Sequence, residues 1–269
     1  MEKSINFEKN PFSKRLKSMC KVDFRRVFKS KVFYILIMIA LVMPVIMTVM
    51  MSMMDGSVST NPQTGVETVM KGPENSWQNI GTLPGGEQMG GNEVFMMCNI
   101  NMMFMAVAVF VCLFISDDFR SGYAKNLFTV RAKRGEYVIS KTFAGFVCGS
   151  MMLVVYFVGS ILGGLIAGLS FDLHGLTVGN IAMCLIAKIF LMLVFVSIFT
   201  LISVAAKQKA WLSICGSLGG GMLLFMMVSM ITPLGSTLVN VFLCAVGGGI
   251  FAVGLGAISK IILKKSSLV

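Results

Sequence analysis

The sequence predicts an all-α polytopic membrane protein: six transmembrane helices, a basic amphipathic helix ahead of them, and both termini cytoplasmic. Three observations lead there. Hydrophobic residues make up 56% of the 269 and charged residues only 13%, where a water-soluble domain carries roughly 25% charged. Six apolar runs are each long enough, at about 1.5 Å per residue, to cross a hydrocarbon core of about 30 Å. The charges also sort by side. With six spans, 21 of the 23 Lys and Arg fall on one side with six acids, while the other side holds Lys71 against Asp55, Glu67, Glu74, Glu87, Glu93 and Asp172. A cation excess marks the cytoplasmic side, and moving the register by one span would scramble this order. The net charge of +11 is segregated as a membrane would segregate it, so we expect contact with an anionic inner leaflet and no nucleic-acid partner.

Residues 1–31 carry ten cations. From Pro11 onward Phe12, Leu16, Met19, Cys20, Phe24, Val27 and Phe28 recur at three- and four-residue steps, with Asp23 the misfit among them. That period predicts a helix lying in the headgroup region, the alternative being a solvated basic tail. Residues 32–54 form the first span, with Pro44 inside it, and 55–93 the outward loop, where Trp77 and Ile80 suit the outer interface. The second span covers 94–115, with Asn99 and Asn101 near its outer end. A polar stretch, 116–141, follows on the cytoplasmic side.

The third span, 142–169, contains Gly145-x-x-x-Gly149, Gly159-x-x-x-Gly163 and Gly164-x-x-x-Gly168, spacings that let another helix approach closely. A short turn with Asp172 and His174 leads to the fourth span, 178–206. Lys207 and Lys209 make an inner turn, and Trp211 opens the fifth span, 211–231, at the interface. The sixth span, 238–259, precedes a basic tail, 260–269. The domain organisation is thus an N-terminal helix at 1–31, a six-helix membrane domain at 32–259 and that tail. The first apolar run begins too far in for a cleavable signal. Seven cysteines, mostly within apolar runs, read as small buried hydrophobes rather than a disulfide framework.

Chemistry is sparse. There is no Gly-x-x-x-x-Gly-Lys-[Ser/Thr] loop to hold ATP, and one histidine cannot build a multi-histidine metal site. Ser150, Ser160 and Ser217 lie in spans, but His174 lies at the rim, so we expect no catalytic residues and no metal or cofactor held by this chain. Lys188 is the one charge inside a span, which costs at least about 2.5–3.5 kcal/mol at mid-depth. With Asn99 and Asn101 it forms a candidate intramembrane polar site; otherwise its stem snorkels outward. No acid within a span offers an ion-coupling site, so the energy for any transport should come from outside the chain.

The stretch Asp117-Asp-Phe-Arg-Ser-Gly-Tyr-Ala-Lys-Asn-Leu127, followed by Arg131-Ala-Lys-Arg-Gly-Glu-Tyr-Val-Ile-Ser-Lys141, resembles the loop after the second span in permease subunits of type-2 ATP-binding-cassette (ABC) transporters. The likeness extends to the basic N-terminal helix and the six spans, and is greatest to permeases of bacterial peptide-antibiotic or lantibiotic export and immunity. It implies a bacterial cytoplasmic membrane protein with a coupling helix built from Asp117, Asp118, Phe119, Arg120, Gly122, Tyr123, Lys125 and Asn126. Two cytoplasmic ATPase subunits, which bind ATP and Mg, would dock there. Asp117 and Asp118 would suit that helix's N-terminus and Lys125 its C-terminal part. The N-terminal helix would be an elbow on the inner leaflet, and a second permease, identical or homologous, would complete the path for a hydrophobic or peptide-like substrate. The competing readings are a non-transporting membrane anchor or assembly protein and an intramembrane enzyme.

Overall fold

A computed structural model describes residues 12–60, 67–69, 72–81, 99–130 and 134–265. Eight α-helices account for most of them: α1 (Phe12–Val27), α2 (Lys31–Met53), α3 (Met102–Arg120), α4 (Tyr123–Val130), α5 (Arg134–Ala167), α6 (Val178–Ala206), α7 (Ala210–Ile231) and α8 (Leu238–Lys265). Six of them, α2, α3, α5, α6, α7 and α8, are long and apolar enough to cross a membrane.

α3 and α6 form the middle of the bundle, where Phe104 packs on Phe195 with ring centroids 4.6 Å apart. α5 and α7 flank this pair, α2 lies along α5, and α8 lies along α6. Small residues set the closest approach. A Cβ added at Gly159 would stand 2.5 Å from the Leu41 carbonyl oxygen and 2.7 Å from the Pro44 ring. One added at Gly163 would stand 3.0 Å from the Val45 Cα. Only glycine lets the backbones of α2 and α5 meet here. Gly145 and Gly149 serve α6 and α3 through Val196, Met192, Val111 and Val107, whereas the third pair packs no helix: Gly164 meets Ser76 and Phe171, and Gly168, with φ of +70°, lies just past the end of α5.

The described parts of the connection after α2 hold two short strands and a turn. Val58–Thr60 and Glu67–Val69 pair antiparallel as β1 and β2, Val58 opposite Val69, as β-branched residues favour. A 3-10 turn, Ser76–Asn79, then packs into the bundle rather than resting on an interface. The Trp77 ring lies 5.6 Å from Phe171 and 6.5 Å from Phe157, and its Nε1 donates to the Phe171 carbonyl. Ile80 is buried. Asn79 Nδ2 donates to Thr48 of α2, and the Asn79 carbonyl accepts from the Ile100 amide ahead of α3. The turn pins three spanning helices at that end.

Several expected boundaries move: the second helix runs on past 115 to Arg120 and the sixth past 259 to Lys265, and two starts shift. The second helix begins at Met102, with Asn99 and Asn101 in the turn before it; residues 94–98 lie outside the described residues. The third begins at Arg134 and runs 34 residues, about 51 Å. That exceeds the hydrocarbon core by several turns, so its first two turns, with Arg134, Glu136 and Lys141, form a polar extension of the span.

Candidate functional site

The polar stretch between the second and third spans folds as a continuation of α3, a turn, and α4. Asp117 and Asp118 close α3; they are not at the start of the next helix. Two carboxylates at a helix C-terminus oppose its dipole, so their position needs cations from elsewhere. Gly122, with φ of +75°, makes the turn, a conformation natural to glycine. α4 is amphipathic: Ala124 is buried, Leu127 and Phe128 pack on the core, and Lys125, Asn126 and Thr129 are exposed.

The cations come from α1 and α5. On α1, Arg15, Met19, Asp23 and Arg26 share the face turned to α5, while Phe12, and Phe28 just past the helix end, are exposed. The buried face therefore includes the acid that looked out of place. Lys141 Nζ of α5 sits 2.7 Å from Asp23 Oδ1 and 2.7 Å from Asp118 Oδ2. Arg26 Nη1 pairs with Asp118 Oδ1 at 2.5 Å, and its Nη2 lies 3.8 Å from the exposed Asp117. Tyr137 donates its hydroxyl proton to Asp118 Oδ2 (3.0 Å), and Ser140 donates to Asp23 Oδ2 (2.5 Å). Nearby, Arg15 pairs with the buried Glu136 at 2.8 Å.

Asp23, Asp118 and Lys141 are buried, with Arg26 half-buried. Two anions and two cations balance, and each buried charge has more than one partner, the condition under which desolvation is offset. Burial works against the Arg26 charge, yet Asp118 and then Asp23 outweigh it, and the pKa of Arg26 is raised. Aromatic faces complete the enclosure. Lys141 Nζ lies 3.9 Å from the Phe114 ring centroid, and the Arg26 guanidinium lies 4.4 Å from that of Tyr123. Phe119 and Phe128 both meet Tyr137 edge-on. At the same end, Arg134 donates to the Leu263 carbonyl of α8.

The expected coupling residues thus divide. Asp118 and Phe119 are interior, Gly122 and Tyr123 are half-buried in the turn, and Asp117, Arg120, Lys125 and Asn126 are exposed. Asp23, Arg26, Tyr137, Ser140 and Lys141 join the site without having been expected there as a unit. The signal available was Asp23, the one charge on the apolar stripe of α1.

The second polar site also assembles. Lys188 is fully buried in α6, and its Nζ donates to Asn101 Oδ1 (2.8 Å) and Thr232 Oγ1 (3.0 Å). It points into protein rather than out of it. Asn101 Nδ2 in turn reaches Ser229 Oγ at 3.0 Å. Asn99 plays a different part, accepting from the Asn101 backbone amide. The network ties α3, α6 and α7 together with neutral oxygens around a lysine.

Ser150 and Ser160 donate to carbonyls of their own helix, and His174 sits exposed in its turn. Among the described residues, no group of three or more His, Cys, Asp or Glu could hold a metal ion.

A family model described as "ABC-2 family transporter protein" matches residues 21–222, about three quarters of the chain. The matched region takes in Asp23, Arg26, all of α3 to α6 and Lys188. No curated protein and no solved structure matches the chain.

Proposed function

The chain belongs to the ABC-2 family of transporter proteins, and from that premise we propose how it works: as the permease of an ATP-driven exporter in the bacterial cytoplasmic membrane, moved by a separate ATPase that docks on α4. It is a multi-pass membrane protein and a transport component rather than an enzyme in its own right. In the proposed orientation the ionic cluster and both termini face the cytoplasm, and α1 is the elbow on the inner leaflet.

The observation that carries this reading is α4 itself. A short helix between the second and third spanning helices keeps its apolar side on the bundle and presents Lys125, Asn126 and Thr129 outward, with Arg120 beside them. A partner pushing there moves more than a loop. Asp118, one turn before α4, is held at once by α1 and α5 through Arg26, Lys141 and Tyr137. Displacement of α4 therefore reaches the elbow and two spanning helices through short, charged contacts. ATP and Mg are bound by the ATPase, in two copies, and a second permease completes the path. The exposed methionines of α7, among them Met222, Met226 and Met230, support an apolar or peptide-like substrate, since thioether side chains adapt to irregular apolar shapes.

The test is capture of the ATPase from native membranes by the tagged, detergent-solubilised chain, read as co-purifying ATP hydrolysis. Lys125→Glu and Arg120→Glu change exposed charges on the docking face and should abolish it, whereas Lys207→Glu should not. Folded wild-type protein that brings down no ATP hydrolysis would overturn the reading.

A further inference from the structure

Beside the ionic cluster lies a groove of about 470 Å³ between the end of α1, the start of α2 and α3. Its floor is apolar, made by Val32, Phe110, Leu113 and Phe114, and its rim carries the cations Arg26 and Lys29 with Ser30 and a single carboxylate, Asp117. We propose that this groove binds an anionic glycerophospholipid, with the phosphate between Lys29 and Arg26 and an acyl chain along the floor.

Three features select this occupant. Depth is the first. Lys29 lies two residues before α2, whose apolar length begins immediately after Lys31, so the rim is at headgroup level and the floor at the level of acyl chains. Charge is the second. Lys29 is exposed and makes no ion pair among the described residues, and Arg26 Nη2 faces Asp117 only loosely, at 3.8 Å. A phosphate can take up Lys29 and, by displacing the exposed Asp117 carboxylate, the free edge of Arg26, without disturbing the tight Arg26–Asp118 pair. The third is the mixed lining: a soluble anion would leave the apolar floor wet, and an uncharged apolar ligand would leave Lys29 without a counter-charge.

The contact has a mechanical side. Arg26 links the groove to Asp118 and stacks on Tyr123, the first residue of α4. A bound lipid therefore touches the same guanidinium that positions the proposed ATPase-docking helix. The choice of inner leaflet rests on the proposed orientation; the lipid contact itself does not.

The experiment uses the purified full-length chain without any ATPase, so its outcome is independent of ATPase capture. Native mass spectrometry would compare retention of phosphatidylglycerol and phosphatidylcholine with identical acyl chains. The expected result is preferential retention of phosphatidylglycerol, weakened about fivefold by Lys29→Gln, as removal of one cation near a lipid phosphate implies. Leu113→Trp, which fills the floor and leaves the charges intact, should reduce retention of both lipids. Equal retention of the two lipids by wild type would overturn the proposal. So would a Lys21→Gln loss as large as that of Lys29→Gln, which would mean diffuse attraction to the basic helix. Equal competition by deacylated glycerophosphoglycerol would do the same, because it would show a phosphate site that makes no use of the floor.

Discussion

Replacing Asp118 by Asn keeps the shape of the side chain and removes one charge from the ionic cluster. Two anions and two cations become one anion, Asp23, facing Arg26 and Lys141. Lys141 keeps Asp23 at 2.7 Å, but Arg26 is left with Asp117 at 3.8 Å, a carboxylate whose side chain is 68% exposed. The loss is that of a buried pair broken from one side, about 3–5 kcal/mol. The neighbouring substitution Asp117→Asn removes an exposed, loose pair and should cost about 0–1 kcal/mol. One position thus separates a large effect from a negligible one. Thermal unfolding in detergent, followed with a thiol-reactive dye in a Cys20→Ser, Cys215→Ser background that removes the accessible thiols among the described residues, reads this because Cys112, Cys148 and Cys184 are buried and free. Asp118→Asn should lower the transition by on the order of 10 °C, and Asp117→Asn by little. Adding Lys141→Met to Asp118→Asn restores charge balance, so the double variant should be less damaged than the sum of the two single variants. Strict additivity, or an Asp118→Asn transition equal to that of Asp117→Asn, would refute the claim that these charges act as a buried unit.

Further expectations rest on other contacts. Gly159→Leu places a side chain where even a Cβ would meet the Leu41 carbonyl at 2.5 Å; separation of α2 from α5 should lower the transition sharply, while Gly219→Leu, in open space, should leave it near wild type. Asn101→Leu removes an oxygen from Lys188 and should cost about 1–3 kcal/mol, and Asn99→Leu, which loses only a contact to a backbone amide, should cost less in the same assay. Trp211 is 68% exposed whereas Trp77 packs between Phe157 and Phe171. Trp211→Phe should therefore leave a fluorescence emission that is blue-shifted and resists acrylamide quenching.

Apolar runs and charge asymmetry carry most of the fold, because a membrane leaves the backbone few alternatives to a helix. Helix ends are another matter. α3 runs past its apolar run to Arg120 because Arg26 and Lys141, distant in sequence, neutralise the carboxylates at its end. Gly122 was a legible stop signal three residues beyond the helix's last aromatic, Phe119, yet the paired acids read more naturally as the start of the next helix. Asp23 was recognisable as a misfit from the period of α1, but its partner lies 118 positions away, and nothing in local pattern connects them. Lys188 was conspicuous as a lone charge. Thr232, one of its two ligands, belongs to a turn 44 residues on and carries no mark of its own. Periodicity names the residue that needs a partner; only packing supplies the partner.

The length of α5 has a mechanical corollary. It is one uninterrupted helix without proline, and the glycines that let it touch α2, Gly159 and Gly163, lie close to its far end. Lys141 is about 20 residues, or roughly 30 Å, from that contact. A rod pivoted so near one end is a lever with very unequal arms. A rotation of about 10° at the glycine fulcrum would sweep Lys141 through roughly 5 Å, while the turn at Ser76–Asn79, which meets α5 at Phe157, Ser160 and Gly164 around the fulcrum, would barely stir.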